Sequence, residues 1–194
     1  MTVIWDIDDV LNDLMRQWLE SMWLPAHPGC TLTYADLTQN PPHRLLGIDE
    51  SEYLESLDCF RLSHDRTLKP IAEVSAWFEE YGSRCSHVAL TARPLGSVPS
   101  VASWLFEHFG AWIRAFGFVP SHRPHVSLPH YHRSKGDWLR WISAGDVMVE
   151  DNPANLAEAA AAGMRTVLIP QPWNSGSGTL SEALDSLTRI VKLG

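Results

Sequence analysis

Three short apolar runs, Val3-Ile4-Trp5, Val88-Ala89-Leu90 and Val147-Met148-Val149, each stop abruptly at polar side chains. The first meets Asp6 and Asp8, the second Thr91 and Arg93, the third Glu150 and Asp151. Runs this short and this uniformly apolar read as strands buried on both faces. Helical periodicity fills the intervals. Leu11, Leu14, Met15, Trp18, Leu19 and Met22 recur at three- and four-residue steps over residues 11–24, and Ile71, Val74, Trp77 and Phe78 predict a helix ending at Tyr81-Gly82. Further helices are expected over 99–109, behind a Ser134 cap carrying Trp138, Leu139 and Trp141, and over 154–162 before Gly163. Two more strands are expected within 111–119 and 166–169. Strands alternating with helices imply right-handed crossovers, so the fold class is a Rossmann-like three-layer α/β/α core with a mostly parallel sheet.

Residues 13–66 break the alternation. They hold no convincing strand, a turn at Tyr34-Ala35-Asp36-Leu37, a Pro41-Pro42 break and a short helix over 51–57. The expected division is a catalytic core of residues 1–12 and 67–194 with a small helical cap, 13–66, inserted into it. The aromatic side chains Trp18, Trp23, Tyr34, Tyr53 and Phe60 read mainly as the core of that cap.

Side chains at i and i+2 of a strand share a face, so Asp6 and Asp8 emerge together where the first strand ends. Ligands of open α/β sheets bind outside the carboxyl ends of the strands, where the three polar clusters converge. Lys135, at the start of a helix, joins them there. Paired carboxylates, a hydroxyl and an ammonium suit a hard cation and an electrophilic phosphorus. Taken singly, each part has an ordinary structural explanation as a loop acid, a strand-end hydroxyl or a solvated first-turn lysine. Arg93 is divided evenly between a phosphate or substrate contact and a surface ion pair.

In this order the parts resemble the haloacid dehalogenase-like hydrolase superfamily. Its DxDx(V/T) motif is matched by Asp6-Ile7-Asp8-Asp9-Val10, its strand-closing Thr by Thr91, its helix-start Lys by Lys135, and its acidic pair by Glu150-Asp151. The resemblance implies Asp6 as nucleophile, forming an aspartyl-phosphate, and Asp8 as the acid and base. It implies Mg²⁺ on Asp6, the Asp8 carbonyl and Asp151, with Glu150 near the outer shell. Thr91, Ala92, Arg93 and Lys135 are the implied substrate-binding residues. An acid at position 8 favours phosphatases over the superfamily's dehalogenases; Asp9 replaces the commoner Gly.

A competing GDxxxxD reading would use Gly145-Asp146, but a strand over 147–149 puts Asp146 roughly 16 Å from Asp151. The single helical insertion, with Thr-Ala-Arg-Pro and Lys-Gly-Asp, is similar to the 5′(3′)-deoxyribonucleotidase branch. The expected activity is therefore Mg²⁺-dependent hydrolysis of a small phosphomonoester, with a nucleotide as the leaning. The alternatives are a phosphomutase or phosphotransferase using the same nucleophile, a non-catalytic phospholigand binder, and a receiver-like signalling module. A receiver needs its phosphorylated Asp on a middle strand, and Asp58 is in none.

The net charge of −8 argues against a nucleic-acid polymer or an anionic membrane as partner, leaving a small phosphorylated metabolite. Cys30, Cys59 and Cys85 show no paired spacing and read as reduced thiols. With no leader-like segment read at the start and no span-length apolar run, the expected compartment is the cytoplasm. His122, His125, His130 and His132 sit in a Pro-rich segment without tight metal-ligand spacing, and are expected at the rim of the site rather than on zinc. Nine Trp point to a well-filled core and an aromatic substrate pocket.

Overall fold

The computed structural model describes residues 1–123, 126–129, 131–174 and 176–193. His125 and His130 lie outside the described residues. Five strands, β1 (Thr2–Trp5), β2 (Ser86–Arg93), β3 (Ile113–Pro120), β4 (Val147–Glu150) and β5 (Arg165–Leu168), form one sheet in the order β3-β2-β1-β4-β5. Every pairing is parallel. In chain order the α-helices are α1 (Leu14–Trp18), α2 (Leu24–Ala26), α3 (His43–Leu46), α4 (Glu50–His64), α5 (Ala72–Tyr81), α6 (Val98–Phe109), α7 (Lys135–Ile142), α8 (Pro153–Ala161) and α9 (Leu180–Leu193). The α/β Rossmann-like architecture expected from the sequence is the one found.

The period-2 alternation of the strands separates two apolar layers. Val3 and Trp5, with Val147 and Val149, face a layer shared with α5, α6 and α9. Ile4, Leu90 and Met148 face the other, filled by Trp138 and Leu139 of α7 and Leu156 and Ala159 of α8. β1 is central and buried on both sides, as its unbroken apolar run requires. Trp5 is fully enclosed, with its ring 5.3 Å from Trp77 and 4.8 Å from Phe78. Its indole N–H donates to His87 Nδ1 at 3.1 Å, and His87 Nε2 lies 2.8 Å from the Gly82 carbonyl. That pairing requires the neutral imidazole with its proton on Nε2. The Trp residues serve mainly as core: Trp5, Trp18, Trp23, Trp77, Trp104 and Trp138 are buried, and none of these six lines the cavity at the strand ends described below. Of the aromatic side chains, Tyr53 does line that cavity.

Several boundaries move for identifiable reasons. β2 continues through Thr91-Ala92-Arg93 because β3 is equally long and pairs with it as far as Arg93–Pro120. The helix expected over 11–24 begins at Leu14 and is π-helical over Leu19–Trp23. α4 runs on to His64 instead of stopping at Leu57, because Phe60 and Arg61 extend the face started by Tyr53 and Leu57. α9 is absent from the helices expected from the sequence. Its Leu184, Leu187, Thr188 and Val191 pack under the sheet, and Thr188 Oγ1 accepts the Trp77 indole N–H at 2.8 Å. Residues 13–66 contribute Leu14, Met15, Trp18, Tyr53, Leu57 and Phe60 to the same apolar layer as Trp5.

Candidate active site

β1 ends with Asp6, whose N–H is still laddered to the Val149 carbonyl at 2.9 Å. The chain then turns sharply, with Asp9 at φ +60°. That left-handed conformation explains the usual Gly at this position; Asp is among the few side chains that tolerate it. Asp9 also secures the following helix by accepting the Met15 N–H at 2.9 Å.

At the carboxyl ends of β1, β2 and β4 lies a cavity of about 150 Å³ lined by Asp6, Asp8, Thr91, Ala92, Lys135 and Asp151, among others. Six of the seven predicted site residues are thus brought together, the seventh being Arg93. Lys135 Nζ sits 2.7 Å from Asp6 Oδ1 and 2.6 Å from Glu150 Oε2, with its side chain only 2% exposed. The Ser134 hydroxyl caps α7 by accepting the Asp137 N–H at 3.2 Å, which fixes where Lys135 starts. Carboxylate oxygens of Asp6, Glu150 and Asp151 all lie within 4.8 Å of one another. Glu150 is already saturated by Lys135, the Asn155 amide at 3.1 Å and the Asn152 N–H at 3.2 Å. It therefore serves to hold Lys135. Asp151 Oδ2 accepts the Trp173 indole N–H at 2.7 Å, and its carbonyl accepts the Asn174 amide at 2.7 Å.

Arg93 is placed differently from a substrate contact. Fully buried, it grips both Asp8 oxygens, through Nη2 and, at 2.8 Å, Nε, and reaches Asp65 at 2.6 Å through Nη1. It does not line the cavity. Arg93 forms an ion pair, but a buried one and not the surface pair open to it in the sequence. A second guanidinium, Arg61 of α4, meets Asp8 at 3.3 Å and Asp58 at 3.2 Å and does line the cavity. Sequence reasoning missed Arg61, although a cation on the apolar stripe of α4 is a signal. It missed Trp173 too, for which the local pattern holds none. Asp146 is at the far end of β4, where its carboxylate accepts the Thr2 N–H at 2.7 Å.

The electrostatics follow from crowding. Burial, and then the Glu150 charge, push Asp6 well above its ordinary range; Lys135 only partly opposes them. Burial and Asp6 raise Asp151 to about 6. Burial alone would raise Asp8, but Arg93 and Arg61 outweigh it and bring the carboxyl down to about 2. Burial would also lower Lys135, yet Asp6 and Glu150 hold it above its ordinary value. Five carboxylates line the cavity against Arg61 and Lys135, an all-oxygen donor set with uncompensated negative charge. Such a set fits a hard divalent cation of the Mg²⁺ type.

No protein-family model and no curated protein sequence matches the chain. Solved structures do. A haloacid dehalogenase-like hydrolase from Streptococcus pneumoniae superposes with a TM-score of 0.61 at 10% identity, covering 100% of this chain and 98% of that one. The fold is that of the haloacid dehalogenase-like hydrolases. A candidate phosphoglycolate phosphatase from Lactobacillus delbrueckii matches with TM-score 0.62 at 11% identity over 98% of this chain and 97% of its own. A candidate β-phosphoglucomutase from Thermotoga maritima matches with TM-score 0.59 at 18% identity over 97% and 99%. At these identities the likeness is one of fold and reaches no particular branch. Among the described residues, no helix is long and apolar enough to cross a membrane.

Proposed function

We propose that the protein is a phosphatase that hydrolyses a small phosphomonoester through an aspartyl-phosphate on Asp6. The observation that carries this reading is the buried Asp6–Lys135 contact of 2.7 Å at the tip of the central strand, facing Asp151 across a cavity of phosphoryl size. An Asp6 oxygen attacks phosphorus and the bond to the leaving oxygen breaks; water then attacks the aspartyl-phosphate and its P–O bond to Asp6 breaks. Lys135 offsets the negative charge as carboxylate and phosphate approach, in a site where water is scarce. Thr91 and Ala92 border the phosphoryl position. Mg²⁺ would be held by Asp6, Asp151 and the Asp8 carbonyl, with Trp173 orienting Asp151; when bound it neutralises and orients the phosphoryl oxygens.

Asp8 is poised by Arg93 and Arg61 as a carboxylate, ready to take the proton of the hydrolytic water. To protonate the leaving oxygen it must first leave Arg93 and gain a proton, which its burial favours once the guanidinium withdraws. Residues 13–66, as the cap, bring Arg61 to that carboxylate, so cap position and proton transfer are linked in this reading. The Thr-Ala-Arg-Pro and Lys-Gly-Asp sequences by themselves lean toward a nucleoside monophosphate, a leaning the substrate panel below tests against other monophosphates; the compartment is taken as cytoplasmic.

The test is phosphate release from a panel of sugar, nucleoside and carboxylic-acid monophosphates, with Mg²⁺ or EDTA, for wild type and Asp6→Asn. Turnover that needs Mg²⁺ and disappears in Asp6→Asn is expected. Full activity in Asp6→Asn, or in EDTA, refutes the mechanism.

A further inference from the structure

We infer that the preferred substrate carries a second anionic group on its leaving portion, received by a cavity between the end of β3, His132-Arg133 and Lys135. This rests on the phosphatase reading and narrows its substrate class.

The catalytic cavity, at about 150 Å³, is well below the roughly 300–1,000 Å³ of pockets that enclose a whole small molecule. It admits the phosphoryl group and leaves the remainder of the substrate to be housed elsewhere. A second cavity of about 620 Å³ adjoins it, and the two share Ala92, Lys135 and Asn155 as common walls. A substituent on a phosphoryl group in the first is thus within reach of the second.

The charges of the two cavities are opposite. The catalytic one is lined by five carboxylates. Among the described residues the neighbouring one has no acidic lining residue; His122, His132 and Arg133 stand around it with Lys135, whose ammonium is already paired with Asp6 and Glu150, so its uncompensated positive charge is that of Arg133. Val119 and Pro120 supply apolar wall, and low-dielectric walls carrying charge of one sign concentrate the field on a bound counter-ion. Among the described residues, the Arg133 guanidinium makes no salt bridge; the Asp137 carboxylate, which accepts the Arg133 backbone N–H at 3.0 Å, is paired with Arg140 instead. Arg133 is thus a cation available to an incoming anion. His132 is steadied by Trp141, with ring centroids 4.8 Å apart. Carboxylate or phosphate meets these donors equally well, so the shared chemistry is an oxyanion placed a few bonds from the scissile ester. This points away from nucleoside monophosphates, whose leaving group is neutral.

The experiment compares matched pairs: 2-phosphoglycolate with ethyl phosphate for a carboxylate, and a hexose bisphosphate with the hexose monophosphate for a second phosphate. Phosphate release gives kcat/KM for each, and calorimetry on Asp6→Asn gives Kd for the same ligands. In wild type, one charged member is expected to exceed its neutral partner about ten- to hundred-fold, the range of one charge-assisted contact. Arg133→Ala is expected to collapse that ratio mainly through KM, with Arg133→Lys restoring part of it and the remote Arg189→Ala leaving the ratio intact. Which pair shows the ratio tells carboxylate from phosphate. Equal kcat/KM and Kd within both pairs, or a ratio unchanged in Arg133→Ala, overturns the proposal. If wild type releases no phosphate from any ester, the phosphatase reading fails by itself, and the Kd ratios in the presence and absence of the Arg133 side chain still decide the cavity.

Discussion

Replacing Lys135 by Met keeps the length of the side chain and deletes its charge. In the metal-free protein, Asp6 and Glu150, which Lys135 holds apart at 2.7 and 2.6 Å, then face each other with Asp151 nearby. Removing one partner of a buried ion pair costs about 3–5 kcal/mol. For a chain of this length the unfolding entropy is about 0.4 kcal/mol per degree, so Tm is expected to fall by about 7–12 °C. The pH dependence has a definite sign. Burial raises Asp6 and Glu150 above their unfolded values, the Glu150 charge adding to the rise at Asp6 and the Asp151 charge to that at Glu150, and Lys135 restrains both. Without it, the folded chain holds more protons than the unfolded one from about pH 4 upward, so stability drops as pH increases. The deficit is therefore largest at pH 8 and shrinks at pH 5, where the carboxyls share protons. Mg²⁺ at pH 8 should restore more Tm to the variant than it adds to wild type, while phosphate release falls by about 10²–10³. Scanning calorimetry at the two pH values, with EDTA or Mg²⁺, reads all of this. A metal-free Tm within about 2 °C of wild type at pH 8, or a deficit identical at both pH values, would refute the reasoning.

Trp173→Phe removes the 2.7 Å donor to Asp151 and should weaken Mg²⁺ binding about 10–100-fold by titration calorimetry, with metal-free Tm nearly unchanged. Gly117→Ala would place its Cβ 2.4 Å from the Trp138 ring, so urea denaturation should show a loss of about 1–3 kcal/mol; no loss would contradict the packing of α7 on β3. His87 is held below its ordinary pKa by burial, so the unfolded chain takes up a proton that the folded one refuses. Its stabilising contribution is full above about pH 6.5 and is lost as pH falls from there toward the folded value. The Tm gap between wild type and His87→Gln should accordingly narrow from pH 7.5 to pH 5.5, and a constant gap would count against the neutral Trp5–His87–Gly82 chain.

The strands and the ends where chemistry gathers were legible because burial on both faces leaves an uninterrupted apolar run, as in Val3-Ile4-Trp5 and Val147-Met148-Val149. Asp6, Thr91, Lys135 and Asp151 were legible for the same local reason: each follows or caps an element that the sequence itself delimits. Local pattern was also enough to place Asp146 at the wrong end of β4. Partnership was not. Arg93 could have faced substrate or carboxylate, and the choice depended on Asp65, a residue 28 positions earlier that meets it only in the folded chain. Arg61 reaches Asp8 across 53 residues, and Trp173 reaches Asp151 from a loop with no periodic signal. The α9 helix became necessary only once the sheet had an open apolar face to cover. The sequence alone thus determined which groups stand at the strand ends, since strand burial and helix capping act within a few residues. Only tertiary structure decided their charge states, because burial and contacts between distant segments turn Asp8 into a clamped anion while lifting Asp6 and Asp151.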